Sequence, residues 1–197
     1  MVRSCDMWVT LCPAAAYRSL ARQPAAIGIW RALRRPLFVA FVLGCTMSLI
    51  ASAGLTPRLA GSATVYWSFV PLAEMVGLAA ACGRDGRTLA FPRAIDLFFA
   101  GHGPWLFWLI GLSAIWSFTP PIRAFALTNA IWLYGAGGVA LVWSAYIDFC
   151  FFRFALARSM ARAGRDLVLH RLISWTIILA IFGGPAIPPE VAARLGW

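Results

Sequence analysis

Long apolar runs alternate along the chain with short connections that carry arginine. Residues 36–55 contain no charged side chain in twenty positions, which matches the roughly 20 residues that an α-helix needs to cross a bilayer core. Four later runs have the same character. The pattern therefore predicts five membrane-spanning helices, at about 36–55, 62–82, 94–118, 124–151 and 172–187.

The two ends of the chain differ from this apolar domain, 36–187. In residues 1–35, six arginines are mixed with aromatic and aliphatic residues, a composition that predicts an amphipathic helix lying on the cytoplasmic membrane surface. Pro24 is expected to break that helix. The segment is not a signal peptide, because its first apolar stretch is short and is interrupted by polar and proline positions. Residues 188–197 are expected to form a short external tail.

Composition supports the same fold class. Hydrophobic residues make up 61% of the 197 positions and charged residues only 12%, about half the charge of an ordinary soluble domain. The polar composition that keeps chains disordered is also absent. We therefore expect an all-α integral membrane protein, a bundle of five transmembrane helices with an N-terminal interfacial helix.

The net charge of +10 comes from seventeen arginines against seven acidic residues, with no lysine. In a soluble protein this balance would suggest nucleic acid, but the arginines lie beside apolar runs, which favours anionic lipid headgroups instead. Arginine-only, alanine-rich usage indicates a bacterial source. Fourteen arginines fall on one side of a five-span layout and three on the other. The positive-inside rule then predicts an inner-membrane protein with its N-terminus in the cytoplasm and its C-terminus outside.

Two ionisable residues, Glu74 and His102, fall well inside predicted spans and away from the span ends, where an ionisable group is costly and is often functional. Glu74 follows Pro71 in the second span, and His102 stands between two glycines in the third. Counted from their shared cytoplasmic ends at about 1.5 Å per residue, they lie about 12 Å and 9 Å deep. Glu74 and His102 are therefore predicted to be able to meet.

This pair has a functional and a structural interpretation. It can form a polar site that moves protons or binds a ligand, or it can serve packing, with Glu74 protonated and His102 turned toward the headgroups. Small residues recur at four-residue steps beside Glu74, at Ala73, Gly77 and Ala81, and such a stripe lets helices approach closely. Glu74 is therefore expected to face the bundle interior.

Asp96 and Asp148 are predicted to lie together near the cytoplasmic edge. Arg93 and Arg153 are close to them in sequence, so a cluster of ion pairs is favoured there over a pair of catalytic carboxylates. The chain contains no phosphate-binding loop, dinucleotide glycine signature, HExxH or GxSxG sequence. Neither catalytic residues nor a cofactor nor a metal site is predicted.

The layout resembles bacterial members of the Yip1-like family of small five-span membrane proteins. The points of similarity are the basic N-terminal segment, Arg35-Pro36 before the first span, five spans, and the Ala-Ile-Asp-Leu-Phe run, 94–98, that leads to Pro104. The resemblance implies a five-span fold. It implies no agreed activity for the bacterial members, although the eukaryotic relatives are linked to membrane trafficking.

Two functions are compatible with these features. The first is a non-enzymatic scaffold or accessory subunit that associates with itself or with another membrane protein through its small-residue stripes. The second is a small transporter or channel in which Glu74 and His102 line a polar path. The scaffold is slightly favoured on sequence alone, because five spans form a thin wall around a pathway unless the chain dimerises.

Overall fold

The computed structural model describes residues 9–22, 27–52, 55–83, 89–117, 124, 128 and 130–183. Within these ranges the structure is helical and contains no β-strand. In chain order the helices are α1 (Pro13–Ala21), α2 (Ile29–Ser52), α3 (Pro57–Trp67), α4 (Phe69–Gly83), α5 (Phe91–Phe99), α6 (Gly103–Ser117), α7 (Ala130–Cys150) and α8 (Met160–Gly183), with a π-helical turn, Phe151–Ala155, after α7.

Three continuous stretches of the described chain are long and apolar enough to cross a membrane: Ile29–Ile50, Pro57–Gly83 and Gly135–Ala155. Helices α5 and α6 meet at an angle of 45° and together qualify as a fourth, broken span. The chain is therefore an all-helical protein with three or four candidate membrane spans. The predicted span at 172–187 is not among them. Helix α8 begins earlier, at Met160, carries charged residues in its first half, and is described only as far as residue 183.

The first span begins earlier than its predicted start at residue 36. Helix α2 runs without interruption from Ile29 and includes Pro36 in its interior. Proline removes one backbone hydrogen bond, here the one to the carbonyl of Ala32. The arginines before Pro36 are good helix formers, and the helix continues through it. Residues 29–35 thus belong to α2 and not to a separate surface helix.

Helix α1 packs against the protein along one face. Val9, Pro13 and Tyr17 are buried and lie four residues apart, so they share a face of the helical segment. The ring of Tyr17 meets that of Phe151 edge-on, with 5.7 Å between centroids. The apolar face of this segment is therefore covered by the π-helical turn at these positions, and a location of α1 on the membrane surface stays a prediction.

The core is centred on Phe98 of α5, which is fully buried. Its ring contacts Phe151 at 5.4 Å and the imidazoles of His102 and His170 at 5.2 and 4.8 Å between centroids. Edge-to-face packing of this kind adds to the stabilisation from burial alone. Phe98 thus lies between the two histidines of the chain, which are 68 positions apart in sequence.

Helices α2 and α3 approach most closely at Gly44. A Cβ atom placed there would lie 2.5 Å from the backbone nitrogen of Thr64 and 2.7 Å from its Cα. Backbone atoms cannot move aside as a flexible side chain can, so this contact requires glycine. At Gly61, on α3, a Cβ atom would meet nothing within 4 Å.

We expect Gly44→Ala to lower the free energy of unfolding by about 1–3 kcal/mol, because the two helices must separate to admit the methyl group. The matched control Gly61→Ala should leave stability unchanged or raise it by up to about 1 kcal/mol. SDS titration of protein in mixed micelles measures both variants. Equal stability of the two would contradict the close packing of α2 on α3.

Candidate functional site

Glu74 lies one turn after a break in its helix. Pro71 has no N–H group to bond the carbonyl of Trp67, and the chain turns at Ser68, between α3 and α4. Such a break leaves backbone acceptors without their usual donor and creates a polar environment inside a span. The local sequence thus places Glu74 where polar partners are needed.

The predicted small-residue stripe brings α4 against α8. Ala73 and Ala81 are buried, and a Cβ atom at Gly77 would lie 2.5 Å from Ser174 Oγ and 2.9 Å from the carbonyl oxygen of His170. This close approach places His170 Nε2 3.2 Å from the carbonyl oxygen of Glu74. The stripe is therefore filled by a helix of the same chain.

His102 lies at the junction of α5 and α6. Where a continuous helix would bond Gly101 N–H to the carbonyl of Leu97, that N–H donates instead to the carbonyl of Phe98, at 3.0 Å. The hydroxyl of Tyr17 donates to the Leu97 carbonyl at 3.2 Å. Helix α1 thereby supplies a partner for a carbonyl that the break would leave unbonded.

The structure brings Glu74 and His102 into contact. His102 Nε2 lies 2.6 Å from Glu74 Oε2, and the two side chains are only 10% and 14% exposed. When Nε2–H donates to the carboxylate, Nδ1 is the position at which a second proton can add. That atom is buried and has no hydrogen-bond partner among the described residues.

A second charged pair lies beside the first. Arg171 Nη2 donates to Asp148 Oδ2, with the carboxylate 5% exposed and the guanidinium 26% exposed. In the sequence, Arg171 contributes only to the count of arginines that sets the orientation, and Asp148 is predicted to lie in a cluster with Arg153. One turn of α8 separates Arg171 from Ser174, so α8 contributes both to this site.

The four residues predicted to form a cluster at the cytoplasmic edge do not all pair with one another in the described structure. Asp96 binds Arg93, with 3.1 Å between Nη1 and Oδ2, and also binds Arg35 of α2, which sequence reasoning missed. Arg153 is not a partner of either carboxylate in the described structure: its guanidinium donates to the carbonyl of Arg158, because the π-helical turn redirects it toward the chain reversal. Asp148 is held instead by a residue 23 positions away.

The Glu74–His102 contact and the Asp148–Arg171 pair line one cavity of about 410 Å³ between α2, α3, α4, α6, α7 and α8. Its walls are mainly aliphatic and aromatic side chains, with a few polar groups. The polar residues of the lining are Glu74, His102, Ser144, Asp148, Arg171 and Ser174. A mostly apolar cavity with a few converging polar groups is the usual form of a small-molecule site. We call it the Glu74 cavity.

The described residues contain no group of three histidine, cysteine or acidic side chains that could hold a metal ion. Comparison with family models, curated proteins and solved structures gives no match. The class of protein is therefore defined by the structure itself: a helical chain with three or four candidate membrane spans and a cavity lined by the Glu74–His102 contact and the Asp148–Arg171 ion pair.

Removing one member of the Asp148–Arg171 pair should be much worse than removing both. We expect Arg171→Ala to cost about 3–5 kcal/mol in unfolding free energy, because it leaves a buried carboxylate unpaired. In the double variant Asp148→Leu/Arg171→Met, most of that loss should be recovered. SDS titration of both variants measures the difference, and a single variant as stable as wild type would refute the buried pairing.

Proposed function

We propose that this chain is a small multi-pass membrane transporter in which Glu74 and His102 form a proton-accepting site. The observation that carries the proposal is the 2.6 Å contact between His102 Nε2 and Glu74 Oε2 at the wall of the Glu74 cavity. Glu74 lies in the candidate span Pro57–Gly83, and His102 lies at the break of the bent span formed by α5 and α6. Both are thus within reach of a pathway through the bundle.

The chemistry of the pair suits proton transfer. Imidazole titrates near neutral pH in its unperturbed state, and a carboxylate in hydrogen-bond contact offers a second site for the same proton. Ionisable groups at membrane depth mark proton relays and ion pathways because their insertion is costly. The cavity beside them provides the space through which a proton donor such as water or a substrate can approach.

The packing of the small residues on α4 favours a proton-accepting site over a scaffold. Gly77 and its neighbours on α4 are buried against α8, so this stripe is not available to a partner protein. The scaffold interpretation relied on such stripes for association. One copy of the chain forms only a thin wall around a pathway, and a dimer of this chain would remove that objection to a transporter.

The finer topology is also part of this proposal. We propose five spans, with the N-terminus in the cytoplasm of a bacterium, the arginine-rich connections at the inner membrane surface, and α1 and its arginines near anionic headgroups. The arginine distribution supports this orientation, and a five-span layout accords with the Yip1-like resemblance. Arg93 near the start of α5 and Arg153 just after α7 lie at helix ends that this orientation places together.

The proposal is tested by proton flux into liposomes that contain the purified protein. Wild-type protein should acidify the lumen when a pH gradient is imposed, and Glu74→Gln should reduce the rate by about tenfold or more, since the amide keeps the hydrogen bond but cannot take up the proton. A fluorescent pH indicator trapped inside the vesicles gives the rate.

Asp96→Asn is the matched control, because it also removes a carboxylate but not one that lines the cavity. Its flux should equal that of wild type when equal amounts of monodisperse protein are inserted. Absence of flux from folded wild-type protein between roughly pH 5 and pH 8, with gradients of protons, of inorganic cations and of a small organic ammonium ion, would refute the transporter and return the scaffold as the better hypothesis.

The topology is tested separately by fusions to alkaline phosphatase, which is active only outside the cytoplasm. Fusions after residues 58 and 123 should be active, and fusions after residues 87 and 158 should be inactive, since arginine-rich connections stay inside. Activity after residue 158 would contradict the proposed orientation.

A further inference from the structure

Aromatic side chains form much of the wall of the Glu74 cavity. Among the described residues, four tryptophans line it: Trp67, Trp105, Trp108 and Trp175. Trp105 and Trp108 are stacked, with 4.9 Å between ring centroids and 24° between planes. The four tryptophans come from three helices: Trp67 from α3, Trp105 and Trp108 from α6, and Trp175 from α8. Tryptophan has the strongest attraction for cations among the aromatic residues, through the negative face of its ring.

The charges in the cavity leave an excess of one negative charge. Glu74 and Asp148 are carboxylates, while Arg171 is the one permanent cation among the described residues of the lining. Arg171 is held by Asp148, so Glu74 is the acidic group without a permanent counter-ion. When His102 is neutral the lining carries a net charge of −1, and when the Glu74–His102 pair takes up a proton the net charge is zero.

No other titratable group in the described structure alters this balance from within the lining. Helix α4 contributes Glu74, α7 contributes Asp148, and α8 contributes Arg171, while α2 contributes only apolar side chains such as Leu43 and Met47. His170, on α8, lies against the backbone of Glu74 outside the lining and is fully buried. The protonation of Glu74 and His102 therefore determines whether the net charge of the described lining is −1 or zero.

We infer that the Glu74 cavity binds a lipophilic organic monocation, such as an amine or quaternary ammonium with an aromatic or aliphatic body. Glu74 balances the positive charge, the tryptophans surround it, and the aliphatic wall accepts the apolar body. The cavity volume, about 410 Å³, is within the range of small-molecule sites. The inference rests on the proposed function, because it names the substrate that a proton at Glu74 and His102 would replace.

Two other ligand classes fit the cavity less well. An organic anion would need Arg171, but that guanidinium is already neutralised by Asp148. A neutral apolar molecule would leave Glu74 without compensation when His102 is neutral, and a charge left uncompensated at low dielectric is unfavourable. A monocation satisfies both the charge and the aromatic wall.

The test compares two probes of the same shape by isothermal titration calorimetry of the full chain in detergent micelles. Benzyltrimethylammonium is the cation, and neopentylbenzene is its neutral carbon isostere. We expect the cation to bind at least about tenfold more tightly than the isostere. Its affinity should fall as the pH is lowered from about 8 to about 5.5, because protons then occupy the pair that balances the ligand charge.

Variants separate the two parts of the site. Glu74→Gln should weaken cation binding by about tenfold and remove its pH dependence. Trp105→Leu should weaken it by about fivefold, whereas Trp105→Phe, which keeps an aromatic face, should restore most of the affinity. Trp132 is 76% exposed and does not line the cavity, so Trp132→Leu should bind as wild type. A monodisperse elution profile establishes that each variant is folded.

Each outcome decides the inference. Equal binding of both probes, tighter binding of 4-tert-butylbenzoate, or cation binding that survives Glu74→Gln would overturn it. Proton flux in liposomes without cation binding would refute this substrate class and leave the proposed transporter intact. Cation binding without proton flux, even with benzyltrimethylammonium trapped inside the vesicles, would do the reverse: the site would stand and the proton-accepting role would fall.

Discussion

A charged side chain buried among apolar helices must have a partner, and the rest of the structure depends on that constraint. Glu74 meets His102, and Asp148 meets Arg171. In each case the partners come from different parts of the chain, so each contact joins two elements of the bundle. Leaving either carboxylate unpaired would be far more costly than any single apolar contact. These pairs therefore join α4 to the α5–α6 junction and α7 to α8 around the cavity.

Helix breaks make these contacts possible. Pro71 interrupts hydrogen bonding before Glu74, and the glycines beside His102 let α5 and α6 meet at 45°. Such breaks need support, because they release backbone carbonyls into an apolar region. Tyr17 of α1 bonds one of these carbonyls, that of Leu97. The N-terminal segment thus contributes to the interior of the site, a role that its arginine-rich surface does not suggest.

The sequence was informative about features that depend on a single helix or on the depth of a residue along its helix. The apolar runs predicted the helical class, and residue counting along two antiparallel spans predicted that Glu74 and His102 could meet. It was less informative about which face each helix turns inward. Arg171 was treated as a topological charge because nothing in α8 alone shows that it faces Asp148 across the bundle. Arg153 was misassigned because the π-helical turn rotates the chain just before it. The start of α2 was misplaced because an interior proline was read as a boundary.

The geometry also suggests why a proton and an organic cation would be exchanged for one another. The cavity has one carboxylate beyond what its guanidinium neutralises, and low dielectric makes double occupancy of that site by two positive charges unfavourable. Low dielectric also makes the Glu74 carboxylate unfavourable when neither a proton nor a ligand balances its charge. A site with these properties is occupied by one cation at a time, either a proton on the Glu74–His102 pair or a ligand among the tryptophans. Coupling of two fluxes then needs no second binding site. It follows from one negative charge enclosed where water cannot stabilise it.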